Sequence, residues 1–253
     1  ISFFVKKPSA KDRCRIHYTR RHELETAEEK LAWLGQARLA NVTSEEVRPD
    51  AKANWLNLTH NDFDELMPLA SKTCRAASQV KDERTIFKLY SLGISTNRDE
   101  WLYDDALDAL AQRVRYLIAG FEAQQRGADF ATDIKWSRNL KRRFEQGRTE
   151  PFDAARLVRA SYRPYYSPLL YDSSLFIDEG GAKAEMFPLG KENRAICFSD
   201  VGSRTNYVVL AVGGIADLHF GSSIDAYQQV PLCRFVDGQR HDNITDWALK
   251  QFT

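Results

Sequence analysis

Long hydrophobic runs are missing from this 253-residue chain. No apolar stretch approaches the roughly 18 residues that a membrane-spanning helix needs, which excludes that class. The opening Ile1–Val5 meets Lys6 and Lys7 too soon to serve as a secretory leader. Cysteine is scarce and scattered. Cys14, Cys74, Cys197 and Cys233 form no C-x-x-C pair, so neither a disulfide framework nor a locally paired zinc site is indicated. The expectation is four reduced thiols in a cytoplasmic protein.

Catalytic signatures are also lacking. No G-x-x-x-x-G-K-[ST] phosphate loop occurs, no [DNS]-P-P-[YFW] tetrapeptide of the amino-methyltransferases, no Gly-rich strand–helix turn and no G-x-S-x-G. His17, His22, His60, His219 and His241 contain no H-x-x-x-H pair. Glu28-Glu29-Lys30 has the E-x-K spacing with which nucleases hold a metal, but it sits inside a helix-capping pattern, and a nuclease also needs a positioned Asp on a strand. Taken alone, the chain carries no visible catalytic engine, and no cofactor or metal site is expected in it.

What is present is a core-forming composition, 43% hydrophobic and 28% charged, with a net charge of only +1. The charge is unevenly spread. Residues 1–21 hold seven Lys or Arg against one Asp, and residues 133–163 hold nine against four acids. Between them lies the acidic stretch Asp99, Glu100, Asp104, Asp105 and Asp108. Such blocks make either a local phosphate-binding face or an ordinary solvated surface.

The pattern along the chain predicts α+β, with a helix-rich N-terminal half and a strand-rich C-terminal third. Ile1–Lys7 and Arg15–Tyr18 read as two strands around a polar turn. Thr26 with Glu29 is a capping box that opens a helix carrying Ala27, Leu31, Leu34 and Ala37 on one face. Asp62 with Glu65 repeats the device. Ile86–Ile94 reads as a strand, followed by the polar loop Ser95–Arg98. The spacing of Leu107, Leu110, Val114, Leu117, Ile118 and Phe121 predicts a helix from Tyr103 to Phe121. Another is expected over Ile134–Gln146, capped by Asp133 and Gly147, and a third over Ala154–Ser161. Leu169–Tyr171, Ala195–Ser199, Tyr207–Val212 and Leu218–Phe220 read as strands, and Ile244–Phe252 as a helix capped by Asp242.

Several of these segments carry the residue types that read nucleic acid. Arg pairs with the guanine edge, and Asn or Gln with the adenine edge, through paired hydrogen bonds. Thr96, Asn97 and Arg98 gather such types in one loop, although the same residues are common in turns. In Lys135–Arg143, helical spacing puts Arg138, Lys141 and Arg142 on one side, opposite Trp136, Leu140 and Phe144. That amphipathic basic helix suits a phosphate backbone, with Lys135 and Asn139 beside it. Arg156, Arg159 and Arg163 follow at i, i+3 and i+7, the first two on the next predicted helix and Arg163 just beyond its end. Tyr162, Tyr165 and Tyr166 stand next to that row, where they either stack on a displaced base or fill the core.

In order along the chain, Glu29-Lys-Leu-Ala-Trp-Leu-Gly35, Trp55-Leu-Asn57 with Asp62-Phe-Asp-Glu-Leu66, and Ile86-Phe-Lys-Leu-Tyr-Ser-Leu-Gly-Ile-Ser-Thr-Asn-Arg-Asp99 are followed by Lys135-Trp-Ser-Arg-Asn-Leu-Lys141 and Tyr162-Arg-Pro164. Tyr171-Asp172, Glu192-Asn-Arg194, Asp217-Leu-His-Phe220 and Asp242-Asn-Ile-Thr-Asp-Trp-Ala-Leu249 continue the series. These blocks resemble the C-terminal region of type ISP restriction-modification enzymes, single polypeptides that join an endonuclease, a helicase-like ATPase, an adenine DNA methyltransferase and a target recognition domain. The resemblance implies that residues 26–253 form a DNA target recognition domain. Residues 1–25 look similar to the closing strands of an upstream methyltransferase domain, as expected for a piece of a longer polypeptide. It further implies double-stranded DNA as partner, contacts with the upstream methyltransferase and helicase/nuclease domains, and no membrane. S-adenosylmethionine, ATP and Mg are implied for the parent enzyme only. No catalytic motif of the family falls within these residues. A scaffold or coupling domain that touches other parts of the same enzyme without reading sequence is the alternative.

Overall fold

A computed structural model describes residues 3–6, 14–22, 24–50, 54–55, 66–70, 84–129, 134–200 and 202–252. They fall into two compact units, Ile1–Leu66 and Met67–Thr253.

In the first unit, β1 (Ile16–Tyr18) pairs antiparallel with β2 (Glu45–Val47), Ile16 opposite Val47 and Tyr18 opposite Glu45. This corrects the expected pairing of Arg15–Tyr18 with the opening residues, because residues 3–6 form no strand and the partner comes from downstream. Helix α1 (Ala27–Gln36) starts where the capping box predicts. The Thr26 hydroxyl accepts from the Glu29 N–H at 3.3 Å, and the Glu29 carboxylate accepts from the Thr26 N–H at 2.8 Å. Each group satisfies an amide that the first helical turn leaves unpaired. The second capping pattern, at Asp62 and Glu65, lies outside the described residues.

Among its described residues the second unit holds two four-stranded sheets and a separate hairpin. Strands β3 (Ser91–Leu92), β4 (Tyr103–Asp104), β5 (Leu157–Ser161) and β6 (Leu169–Tyr171) precede β7 (Ala195–Ser199), β8 (Val209–Val212) and β9 (Ile215–Ala216). After them come β10 (Tyr227–Pro231), β11 (Cys233–Val236) and β12 (Gln239–Asp242). One sheet has the order β4-β6-β5-β9, with only the β5–β9 pair parallel, and the other runs β3-β10-β7-β8. Strands β11 and β12 form the hairpin, turning through Asp237 and Gly238, both at positive φ. That is the backbone signature of a tight two-residue connection.

Helix α2 (Asp99–Leu102) leads through β4 into α3 (Leu107–Gln125). The face of α3 packs as its spacing predicts, with Leu110, Val114, Leu117, Ile118 and Phe121 all buried. The helix begins later than expected because Tyr103–Asp104 pairs with Leu169–Leu170 instead. Helix α4 (Arg138–Glu145) is capped by Ser137, whose hydroxyl accepts from the Leu140 N–H at 3.1 Å. The expected cap, Asp133, is outside the described residues. At the other end Gly147 takes φ 65°, and the N–H groups of Gly147 and Arg148 close on the carbonyls of Phe144 and Arg143. This is the helix-terminating arrangement that glycine favours. Helices α5 (Lys183–Met186) and α6 (Asp246–Phe252) are the remaining helices among the described residues, and Thr245 rather than Asp242 caps α6, accepting from Ala248 N–H at 3.0 Å.

The predicted helix over Ala154–Ser161 is instead a short 3-10 turn, Ala154–Arg156, followed by strand β5. Strands on both sides offer β5 a full set of partners, and that tertiary pairing outweighs local helix propensity. Leu218–Phe220, expected as a strand, is a turn after β9. Gly93 is required where it stands, since a Cβ there would run into the Asp217 backbone. That close approach lets Ile94 accept from the Leu218 N–H at 2.7 Å and bring the loop after it beside Asp217.

Candidate nucleic-acid interface

The polar loop Ser95–Arg98 is anchored by Ser95, which exchanges backbone hydrogen bonds with Glu179 at 2.9 and 3.0 Å. Thr96 is buried and its hydroxyl donates to Asp99 while accepting from the Arg98 N–H at 3.0 Å. Asn97 adopts φ 56°, a left-handed conformation that asparagine tolerates, and is exposed. Its amide donates to Asp178 at 2.9 Å.

Arg98 is 0% exposed. Its guanidinium donates to the Thr96 carbonyl at 2.9 Å, the Phe176 carbonyl at 2.8 Å and the Ser137 hydroxyl at 2.7 Å, and lies 3.4 Å from Asp178. Burial lowers its pKa, and Asp178 acts in the opposite direction. Burial also opposes the charge on Asp178. Hydrogen bonds from Ser137, Asn97 and Arg98 outweigh it and hold that carboxyl below the usual range. This packing buries two of the loop's three expected DNA contacts, Thr96 and the base-edge candidate Arg98. A donor with no exposed surface and its bonds already directed inward cannot reach a groove unless the loop opens. Of the three, only Asn97 is presented to solvent.

The Ser137 hydroxyl caps α4, donates to Asp178 and accepts from Arg98, so one side chain ties the loop to the start of the basic helix. Arg143 completes the tie, donating to the carbonyls of Leu175, Ile177 and Asp178 at 2.9, 2.7 and 3.0 Å. Asn139 is half-buried and donates to the Asp178 carbonyl at 3.4 Å. Sequence reasoning missed Ser137, Arg143 and Asp178 as site residues. A signal for Arg143 existed, since helical spacing puts it on the inward side with Leu140.

This scaffold fixes a row of free cations. Leu140 is buried, while Trp136 and Phe144 pack on Phe121 with ring centres 6.0 and 5.2 Å away. Arg138, Lys141 and Arg142 therefore face solvent, as does Lys135 just before the helix. None of the four side chains makes a hydrogen bond or ion pair with a described residue. The structure thus brings Lys135, Arg138, Lys141 and Arg142 onto one exposed flank.

The other predicted arginines do not form one row, because they lie on a strand and its flanks. Arg156 turns inward to the Asp172 carbonyl at 2.9 Å and to Glu150 at 3.6 Å. Arg163 is half-buried against Asp217 at 2.7 Å, with its guanidinium 3.9 Å from the Tyr162 ring centre. Arg159 is exposed and donates once, to the Ser167 carbonyl at 2.8 Å. Burial raises the pKa of Asp217 despite its Arg163 partner. Burial and the hydrogen bond to Asp99 push the Tyr162 hydroxyl up to about 12.

Asn97, Lys135, Arg163 and His219 share an open cleft of about 250 Å³ with Asp99, Glu100 and Asp217. Its mixed charge suits oriented polar contacts better than bulk phosphate binding. Among the described residues no group of three or more His, Cys, Asp or Glu could hold a metal.

Residues 85–253 match the family described as the Type ISP C-terminal specificity domain. Three solved structures are similar. The cryoEM structure of a DrdV–DNA complex shares 33% identity over 94% of this chain and 24% of that one, with a TM-score of 0.73. A nuclease-deletion mutant of the Type ISP restriction-modification enzyme LlaGI, in complex with a DNA substrate mimic, shares 21% identity over 94% of this chain and 23% of that one, with a TM-score of 0.69. The ATP-dependent Type ISP restriction-modification enzyme LlaBIII bound to DNA shares 22% over 82% of this chain and 14% of that one, with a TM-score of 0.66. The last two likenesses bear on the fold alone. The chain spans about a quarter or less of the length of each. No curated protein matches it.

Proposed function

The chain belongs to the Type ISP C-terminal specificity domain family, and from that premise we propose that it recognises a specific duplex DNA sequence as the target recognition domain of a larger restriction-modification enzyme. The observation that carries this reading is the family match over residues 85–253, the span that contains the free cation row and the Asn97 cleft. The 33% identity to a protein solved as a DNA complex supports it.

Recognition divides into two tasks in this reading. Lys135, Arg138, Lys141 and Arg142 hold phosphates and set the register, with Arg159 as an outlying contact. Asn97, rigid in its left-handed turn, is the base-edge reader from the original loop, while Thr96, Arg98, Asn139, Arg156 and Arg163 keep the surface in shape. Residues 1–25 close an upstream methyltransferase domain and residues 26–253 carry recognition. The parent uses S-adenosylmethionine to methylate an adenine, flipped from the stack to expose its N6. It uses ATP and Mg for translocation and cleavage, and it works in the cytoplasm. No helix among the described residues is long and apolar enough to cross a membrane. The test is a titration of labelled duplex DNA with the purified chain across a salt series. The proposal expects affinity to fall steeply and log-linearly with salt, and binding that is absent at low salt overturns it.

A further inference from the structure

Strands β5 and β6 are joined by a turn over Arg163-Pro164-Tyr165-Tyr166, closed by the Tyr166 N–H on the Arg163 carbonyl at 3.0 Å. Proline at the second position and a positive φ, 63°, at the third match a type II turn. That third position favours glycine or asparagine, because a Cβ is strained there. This chain has tyrosine, and the side chain is 96% exposed. Tyr165 makes no hydrogen bond or ring contact with a described residue that would offset the strain.

Its neighbours are all fixed. Tyr162 donates to Asp99 at 2.7 Å and lies 4.6 Å from the Tyr103 ring centre. Tyr166 donates to Asp105 at 3.0 Å, and Arg163 is held by Asp217 at 2.7 Å. The hairpin is therefore a rigid post with one free ring at its tip. Arg163 at its base also lines the cleft shared with Asn97 and Lys135, so the tip stands beside the surface assigned to DNA. Arg159 adds an exposed cation on the same hairpin.

We propose that Tyr165 is a stacking finger whose ring enters the base stack of the bound duplex, so that local unstacking is part of target recognition. The inference rests on the DNA-reading function above. Bases offer an aromatic ring a π face whatever their identity, and a wedge at a base step unstacks and kinks the duplex. The residue is strained and unsatisfied in the free protein because its partner is a base.

The test compares the full chain with Tyr165→Gly and Tyr165→Trp on two labelled probes: an intact duplex, and the same duplex with one bulged base, in which the stack is already interrupted. Wild type should bind the bulged probe several-fold more tightly. Tyr165→Gly suits the turn, so it should melt at or above wild type yet lose about tenfold in affinity and the preference for the bulge. Tyr165→Trp should keep both. A glycine variant that binds both probes as wild type does, or that weakens equally on both, overturns the stacking role while leaving DNA binding standing. Failure of wild type to bind either probe overturns the DNA reading and this inference together.

Discussion

Replacing Arg98 by methionine keeps most of the side-chain volume and removes a guanidinium that has no exposed surface. The carbonyls of Thr96 and Phe176, the Ser137 hydroxyl and the Asp178 carboxylate all lose a donor. Breaking a buried ion pair by removing one partner costs about 3–5 kcal/mol, because the remaining charge is left without its counter-ion. Asp178 keeps hydrogen bonds from Ser137 and Asn97, which puts the expected loss near the lower end, about 3 kcal/mol. For a domain of this size each kcal/mol lowers Tm by roughly 2–4 °C, so Arg98→Met should melt roughly 6–12 °C below wild type. Urea titrations of Arg98→Met, Asp178→Asn and the double variant should give a coupling energy of about 0.5–3 kcal/mol between the two sites. Any loss of DNA affinity should track the unfolded fraction. An Arg98→Met variant that melts with wild type but loses DNA binding would rule out a purely structural role for Arg98, and would mean that the loop opens to present it to a base.

At Asn97 the left-handed backbone should make Asn97→Gly nearly neutral in a thermal melt and Asn97→Ala about 1 kcal/mol less stable. Both variants should weaken cognate DNA more than unrelated DNA if Asn97 reads a base. Changing Arg138, Lys141 or Arg142 to Ala should weaken binding about equally on any duplex and reduce the salt slope by about one unit each, with Tm unchanged. Asp225 accepts from the Arg204 and Thr205 N–H groups and the Thr205 hydroxyl, at 3.0, 3.0 and 2.6 Å. These bonds, the one from Arg204 foremost, lower its pKa to about 2. Its folded pKa is below the unfolded value of about 3.9, so its contribution is present above that value and lost as pH falls toward 2. The protection of the Arg204 and Thr205 amides, measured against their intrinsic exchange rates, should fall across that window, and Asp225→Asn should remove that fall.

The elements legible in the sequence are those whose stability is local. Helix α1 follows from its capping box, α3 from the spacing of Leu110, Val114, Leu117 and Phe121, and the amphipathic face of α4 from Trp136, Leu140 and Phe144. Strand β5 was not legible because its identity comes from pairing with β6 and with β9, and β9 lies far downstream in the chain. The same limit hid β10, whose neighbours β3 and β7 come from distant parts of the chain. At the site, the free cations of α4 could be read because exposure there follows helical periodicity. The fate of Arg98 could not, because it depends on Asp178, eighty residues away and in no regular element. An Arg in a polar loop looks the same in a sequence whether it points to solvent or to a buried carboxylate.

Sequence selection by this chain can be read from enrichment of a randomised duplex pool on the purified protein, followed by sequencing. The recovered duplexes should share a single defined motif containing an adenine, with the enrichment reduced in Asn97→Ala and the bound sequences unchanged in Arg138→Ala. Recovery of duplexes with no sequence preference would contradict sequence selection, leaving a domain that holds the backbone or other parts of its own enzyme without reading the target.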